Sequence, residues 1–308
     1  MEIIINDKQL DKDMVKAVEK AFKQIIGQLN ELNLTSLQSI IVPNDFGEEL
    51  IQFQRNYGLR KGYTNNEFGI AMGKVLNYID NGEFKISVFF DPRIIYTLFS
   101  EEHNQHSVHI IHHEFCHVHD DSEKYNAFGV TDLEQLFFNT KDKVKQIAYA
   151  HADLIWSEYI ATRLSSKSTP ENHDFYIESI LSLIPETKEN CEEYILSYRI
   201  DNDIDKLFGE IQLLTSLLLK VISYFIGYCH CFNLTLPKDL NEIIRKYPYL
   251  DGVWEQLCPN LEKLYESYGN WESVEVFEDL SQTVLKLWNN LGVYPKNEDR
   301  GLYISVPF

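Results

Sequence analysis

The sequence predicts an α+β fold in which a small mixed or antiparallel sheet precedes a mostly helical region. Residues 69–91 contain two β-rich runs around Asn81 and Gly82, a pair favoured in tight hairpin turns. Residues 11–32 repeat apolar side chains at spacings of three and four, as an amphipathic helix does. From residue 171 onward the pattern is almost entirely helical.

The remaining elements follow from the same periodicities and from the residues that stop them. Pro43 ends the first strand, and a helix of about 25 residues begins after Thr140 and ends before Pro170. We expect one domain over residues 1–168 and a mostly helical region, 169–308, packed on it. In chain order the other expected elements are a strand at 37–42 and helices at 48–57, 93–99, 107–120, 173–183, 205–232, 240–245 and 277–291.

Composition and charge indicate an ordered globular protein. Hydrophobic residues make up 44% of the 308 residues, which is enough for an ordinary core. The net charge of −19 argues against a nucleic-acid partner, because such proteins cluster Lys and Arg. The five cysteines form no CxxC pair, as in a reducing compartment. The first residues do not resemble a signal peptide, so we expect a cytoplasmic location.

Residues 211–232 are apolar enough to require a comparison with membrane helices. Their number approaches the roughly 20 residues that cross a bilayer. Lys220 lies at the midpoint, with Gln212 and His230 towards the ends, and a central Lys costs about 3 kcal/mol on insertion. We therefore expect a buried helix of the helical region and no membrane partner.

The strongest chemical signal is the run HEFCH at residues 113–117. On a helix, His113 and His117 lie on one face, one turn apart, so both imidazoles can bind one metal ion. Catalytic zinc takes three protein ligands and a water whose pKa falls toward about 7. Glu114 lies beside that water, can take its proton and can later pass it to the leaving amine. Seven of the ten histidines fall within 103–119, which raises the chance of an accidental HExxH match. A third ligand elsewhere in the chain is needed to make the motif specific.

Glu158 is the best candidate for that third ligand. His151, Leu154, Glu158 and Ala161 fall on one stripe of the long helix, which places the carboxylate on an otherwise apolar face. A buried carboxylate is costly alone, and coordination of a cation offsets that cost. His151 could donate a hydrogen bond to a developing oxyanion; a core histidine bonded to a backbone carbonyl is the alternative.

HEFCH followed by Glu158 and Ala161 resembles the gluzincin branch of the zincin metallopeptidases. These families pair HExxH on one helix with a Glu, often within E-x-x-A, on the next. The resemblance implies that His113, His117 and Glu158 bind one zinc ion and that Glu114 is the catalytic base.

The resemblance also implies a zincin-like domain, with a twisted sheet over the active-site helix and an edge strand that binds an extended peptide. Residues 84–90 are our candidate for that strand. The chain departs from better-known patterns at His119, usually apolar, and at Thr162, where thermolysin-like enzymes carry an Asp that supports the first histidine. Asp120 or Asp121 could provide that support.

Neighbouring polar residues have weaker claims as ligands. The longer motif HExxHxxGxxH would need Gly at position 120 and a ligand at 123, where Asp120 and Glu123 stand. His109 and His112 adjoin the motif, yet three ligands at i, i+4 and i+8 cannot converge from one straight helix. The side chains of residues 229–231, Cys-His-Cys, diverge by about 100° per residue on a helix, so we interpret them as core.

The sequence thus predicts a zinc-dependent endopeptidase with one zinc ion. It would hydrolyse a peptide bond in an intracellular protein, using zinc-bound water activated by Glu114. The expected partner is a protein or peptide substrate, with a regulatory protein as a further partner to consider. Two alternatives stay open: a catalytically silent zincin-fold binding or regulatory protein, and an HExxH hydrolase of a non-peptide amide.

Overall fold

The computed structural model describes residues 1–60, 62, 65–66, 69–168, 173–299 and 301–307. The α+β class is confirmed: a mixed four-stranded sheet and two-stranded sheets occur with many helices.

The chain divides into two compact units. Unit 1 consists of Met1–Glu123 and Leu164–Pro170, and unit 2 consists of Lys124–Arg163 and Glu171–Phe308. Most of the long helix that follows Thr140 belongs to unit 2, and the domain boundary expected at residue 168 stays a prediction.

The described residues of unit 1 combine the four-stranded sheet with helices. Helix α4 continues into unit 2 from Lys124 onward. In chain order the elements are β1 (Glu2–Ile5), α1 (Lys12–Gln28), β2 (Leu37–Val42), α2 (Phe46–Asn56), β3 (Asn65–Asn66), β4 (Gly69–Ile70), β5 (Gly73–Asp80), β6 (Glu83–Phe90), α3 (Pro92–Leu98) and α4 (Asn104–Phe128).

The four-stranded sheet has the order β1-β2-β6-β5. Strands β1, β2 and β6 are parallel, and β5 is antiparallel to β6. The predicted hairpin is confirmed as β5–β6, and its turn residues Asn81 and Gly82 have φ values of 52° and 82°, as a type I′ turn requires.

The prediction that residues 84–90 form the edge strand is wrong. They lie in β6, which pairs with β2 on one side and with β5 on the other. Residues 86–90 are all buried, and burial on both faces is typical of an interior strand. The two edge strands of this sheet are β1 and β5.

Aromatic contacts connect helices α1 and α4 with the sheet. The ring centroids of Phe22 on α1 and Phe90 on β6 are 5.5 Å apart. Phe90 also meets Phe115 of α4 edge to face at 6.0 Å. All three side chains are fully buried, so α4 is anchored to the core of unit 1 through a residue within the HEFCH run.

Unit 2 is mostly helical and ends in a hairpin. In chain order its elements are α5 (Lys143–Ser165), α6 (His173–Asp201), α7 (Ile204–Cys231), α8 (Lys238–Ile244), α9 (Trp254–Glu266), α10 (Glu278–Asn290), β7 (Tyr294–Glu298) and β8 (Gly301–Ser305).

Helices α5 and α7 lie side by side and run in the same direction. Nδ1 of His151 lies 2.6 Å from Oγ of Ser216, and Oε1 of Glu158 lies 2.5 Å from Nζ of Lys220. Residue numbers therefore increase along both helices from contact to contact. Further along, at Gly227, a Cβ would lie only 2.6 Å from a backbone oxygen of α5. The helices can approach this closely because Gly227 has no side chain.

Helix α7 is the one helix in the described part of the chain that is long and apolar enough to cross a membrane. Within its most apolar window, 56% is buried inside the protein. Its central charge, Lys220, pairs with Glu158 in unit 2. These features agree with the expected buried helix, while the location of the protein stays a prediction.

Several elements differ from the sequence-based expectation. Strand β1, helix α9 and the hairpin β7–β8 were not expected, and α6 continues to Asp201 rather than ending near residue 183. Pro185 lies inside α6 and Pro259 inside α9. Proline removes a helical hydrogen bond and usually marks a helix end. The sequence analysis therefore ended α6 too early and did not predict α9.

Candidate metal centre

Helix α4 presents the two histidines of the HEFCH run on one face. Nε2 of His113 lies 3.1 Å from Nε2 of His117, and the two ring planes are 85° apart. Two nitrogens bound to one tetrahedral zinc at about 2.0–2.1 Å would be roughly 3.3 Å apart. The two rings are therefore arranged as one ion would need them.

Glu158 completes a set of three donors. One ligand atom from each of His113, His117 and Glu158 lies within 4.8 Å of the other two. In the part of the chain that the structure describes, no other group of three His, Cys, Asp or Glu side chains meets this distance. Two imidazoles and a carboxylate are a donor set found in catalytic zinc sites. The residues expected as ligands are thus close enough to share one ion.

Glu114 lies against the start of the edge strand β5. A Cβ on Gly73 would be 2.5 Å from Cγ, 2.6 Å from Cδ and 2.8 Å from Oε1 of Glu114. Real Cβ atoms do not approach other atoms so closely, because their van der Waals shells would overlap. Gly73 therefore provides the space that the Glu114 side chain occupies within unit 1.

Glu158 is nearly buried and has a cationic partner in unit 2. The residue is 7% exposed, and its carboxylate lies 2.5 Å from Nζ of Lys220 on α7. The stripe predicted on α5 is not uniformly buried, since Leu154 is 36% exposed. Helix α5 is instead covered on several sides, and Tyr159 next to Glu158 is fully buried.

His109 and His112 bind a hydroxyl within unit 1. Nδ1 of His109 lies 3.0 Å and Nδ1 of His112 lies 3.3 Å from Oγ of Ser168. Burial lowers the pKa of each imidazole to about 4, so both are neutral near pH 7. Their shared contact is with Ser168, and neither belongs to the group of three donors.

The residues considered as supports for the histidines take several positions. Asp120 is fully buried. Asp121 accepts a 2.8 Å hydrogen bond from Nδ2 of Asn77 on β5. His119 accepts one from the backbone N–H of Asn33 at 2.9 Å. These contacts attach the C-terminal half of α4 to the sheet and to the loop after α1.

His151 is hydrogen bonded through both ring nitrogens. Nδ1 lies 2.6 Å from Oγ of Ser216, and Nε2 lies 3.0 Å from Oε1 of Gln212. Burial lowers the pKa of His151, which keeps the ring neutral. Since both nitrogens have partners on α7, we do not include His151 in the proposed function.

His230 takes part in a polar cluster of unit 2, and its neighbour Cys229 is fully buried, as expected for a core residue. Nδ1 of His230 lies 2.8 Å from Oε2 of Glu262, and Nε2 lies 3.2 Å from Sγ of Cys258. Arg163 donates to the same Glu262 oxygen at 2.7 Å. Burial and the nearby carboxylate raise the pKa of Cys258, so the thiol keeps its proton. The cluster connects α5, α7 and α9.

Two residues that sequence reasoning did not assign to the site are Gly73 and Lys220. The signal for Lys220 was present, since one charge in the middle of an apolar helix requires a partner. Gly73 had no such signal, because a glycine within a strand pattern also marks a bulge or a bend.

No protein-family model, curated protein or solved structure matches this chain.

Proposed function

We propose that this protein is a single-zinc metallopeptidase in which His113, His117 and Glu158 hold the metal. The convergence of these three donors within 4.8 Å carries the proposal. The donor set leaves a fourth position for water or substrate. A zinc ion bound there would lower the pKa of a water molecule and polarise the carbonyl to be cleaved.

Glu114 acts as the general base in this proposal. Its carboxylate takes a proton from the attacking water and returns it to the leaving amine. Gly73 leaves space for that carboxylate and limits its position from the side of β5. A silent binding protein would need His113, His117 and Glu158 to retain a metal, but it would not need Glu114. The presence of Glu114 beside the two histidines and the edge strand therefore favours an enzyme.

The edge strand β5 favours an extended peptide as the substrate. β5 is one of the two outer strands of the four-stranded sheet, and it begins at Gly73, where the Glu114 side chain lies. A peptide that added to this edge through main-chain hydrogen bonds would pass the base. A small amide would make no use of that strand. We infer an intracellular protein as the natural substrate.

Metal analysis tests the ligand set. The wild-type protein, purified without chelators and measured by plasma mass spectrometry, should contain one zinc ion per chain. Glu158→Ala should lose it. Glu192→Ala is the matched control, since that side chain on α6 is 59% exposed and pairs with Lys188. A wild-type protein without zinc, or full zinc content in Glu158→Ala, would contradict the proposal.

Peptide-library cleavage tests the chemistry. Glu114→Gln should keep its zinc and lose activity about 100-fold or more, because general base catalysis contributes 10²–10⁴-fold. Glu102→Gln removes a carboxyl group whose side chain is 84% exposed and should cleave like the wild type. Cleavage by Glu114→Gln at the wild-type rate would exclude Glu114 as the base.

A further inference from the structure

Lys220 places an ammonium group directly against the proposed metal ligand Glu158. The Nζ to Oε1 distance is 2.5 Å, with 31% of the Lys220 side chain and 10% of the Glu158 side chain exposed. Because Glu158 is nearly buried and Lys220 is only partly exposed, their attraction is screened less by water than that of two fully exposed charges. The carboxylate that would bind a metal already has a cation beside it.

The packing of α5 against α7 holds Lys220 in this place. One turn before Lys220, Ser216 is bonded to His151 of α5 at 2.6 Å. Two turns after it, Gly227 lies so close to α5 that a Cβ would clash with the backbone oxygen of Tyr159. These contacts flank Lys220 on the same face of α7. The contact with Glu158 thus results from helix packing, not from a freely moving surface chain.

An ammonium group and a metal ion that share one carboxylate weaken each other's binding. Each stabilises the ionised carboxylate, and each repels the other, because both are positive. In the metal-free protein Lys220 offsets the cost of burying Glu158. Metal binding at Glu158 must therefore compete with the contact to Lys220.

We propose that Lys220 competes with the metal ion for Glu158 and thereby weakens the affinity of the site. This inference rests on the proposed function, since it takes Glu158 as a metal ligand. Lys220 stabilises the metal-free protein, and the site fills only when the metal concentration is high enough to displace the ammonium from the carboxylate. The protein is then regulated by metal supply.

The ring of Tyr224 lies near the Lys220 ammonium while that group contacts Glu158. Tyr224 lies one turn after Lys220 on α7, and its ring centroid is 5.7 Å from Nζ. A lysine within about 6 Å of an aromatic ring face is attracted to it.

The test is the zinc affinity of charge variants, measured by competition with a chromogenic chelator. Lys220→Met should bind zinc at least tenfold more tightly than the wild type, which is 1.4 kcal/mol. Lys220→Arg, which keeps the charge, should stay near the wild-type affinity. Lys206→Met is the matched control: it removes the same charge from the same helix, but its partner is Asp201.

Thermal unfolding provides the second measurement. Metal-free Lys220→Met should unfold at a lower temperature than the metal-free wild type, and saturating zinc should reduce this difference. Lys220→Gln, which keeps a polar side chain, replaces Lys220→Met in both measurements if the latter misfolds. A merely structural lysine would lower the stability of both states equally and leave the affinity unchanged.

The outcomes separate this inference from the proposed function. Equal or weaker zinc affinity in folded Lys220→Met and Lys220→Gln, with zinc bound by the wild type and lost in Glu158→Ala, overturns the competition by Lys220 alone. If the wild type binds no zinc, or if Glu158→Ala binds zinc normally, both the competition by Lys220 and the proposed function are overturned.

Discussion

Gly73 at the start of β5 and Glu114 on α4 occupy adjoining space, and a Cβ on Gly73 would lie 2.5 Å from Cγ of Glu114. Helix and edge strand approach each other here because one of the two residues has no side chain. The proposed base is therefore held between its own helix and the backbone of the strand.

Gly73→Ala should displace the Glu114 side chain and reduce peptide cleavage. A misplacement of about 1 Å can lower the rate about 100-fold. Zinc content should stay at the wild-type level, because Gly73 contributes no ligand. Gly27→Ala is the control, since a Cβ there meets nothing within 4 Å. Unchanged cleavage by Gly73→Ala would show that Glu114 does not depend on this space.

Glu114→Ala should remove the clash that Gly73→Ala introduces. Because the Glu114 side chain is flexible and partly exposed, Gly73→Ala should cost less than the about 1–3 kcal/mol of overpacking in a rigid core, and in the Glu114→Ala background that cost should become small. Urea unfolding of the two single variants and the double variant measures the coupling. Strictly additive effects would argue that the two residues do not touch.

Gly227→Ala should destabilise unit 2. A Cβ at Gly227 would lie 2.6 Å from the backbone oxygen of Tyr159 and 3.1 Å from the backbone nitrogen of Arg163. Backbone atoms cannot move aside as a flexible side chain can, so we expect a loss of about 1–3 kcal/mol in urea unfolding. Gly209→Ala on the same helix meets nothing within 4 Å and should stabilise by about 0.5–1 kcal/mol.

The contribution of Glu262 to stability should depend on pH. Burial raises the pKa of this carboxyl group, but the hydrogen bond and charge of Arg163 outweigh it and lower the pKa below the ordinary 4.5. Because the folded-state pKa is the lower one, the ionised group stabilises the protein above pH 4.5 and loses this effect as the pH falls through the folded-state pKa.

Urea unfolding of the wild type and Glu262→Gln at pH 7, 5 and 3 measures this effect. The wild type should be the more stable protein at pH 7, and the difference should shrink as the pH is lowered towards 3, because Glu262 takes up a proton as the pH falls through its lowered folded-state pKa. Glu255→Gln, at an exposed position on the same helix, controls for the loss of one charge. A stability difference that grows towards pH 3 would contradict the lowered pKa of Glu262.

Thiol reagents should distinguish the five cysteines by exposure. Cys116, Cys191 and Cys229 are fully buried, whereas Cys231 and Cys258 are partly exposed. Burial raises the pKa of Cys116 well above 9.0 and that of Cys191 to about 12. Mass spectrometry of the native protein after brief alkylation should find label at Cys231 and Cys258 first. Early label at Cys116 would mean that the core around α4 opens.

The local patterns of the sequence predicted much of the framework around the site. The Asn81-Gly82 turn indicated the hairpin, because both positions need positive φ. The i, i+4 spacing of His113 and His117 indicated that both rings share a face, and Nε2 atoms 3.1 Å apart agree with it. Helical periodicity also predicted α7 to within one residue at each end.

Strand order could not be read from the same patterns. Residues 84–90 carry the signal of a buried strand, but whether a strand is interior or at an edge depends on β2, which lies more than forty residues earlier in the chain. Periodicity reports which face of an element is buried, and it does not report which neighbour it pairs with.

The sequence by itself determined the local features of this protein. These are the HExxH run, the amphipathic helices, the hairpin and a lysine within an apolar helix. Tertiary structure alone decided that Gly73 leaves space for Glu114 and that Lys220 meets Glu158. The physical reason is that side chains far apart in the chain acquire partners only when their elements pack. A charge within an apolar helix predicts that Lys220 has a partner of opposite charge. The packing of α5 against α7 determines that this partner is Glu158.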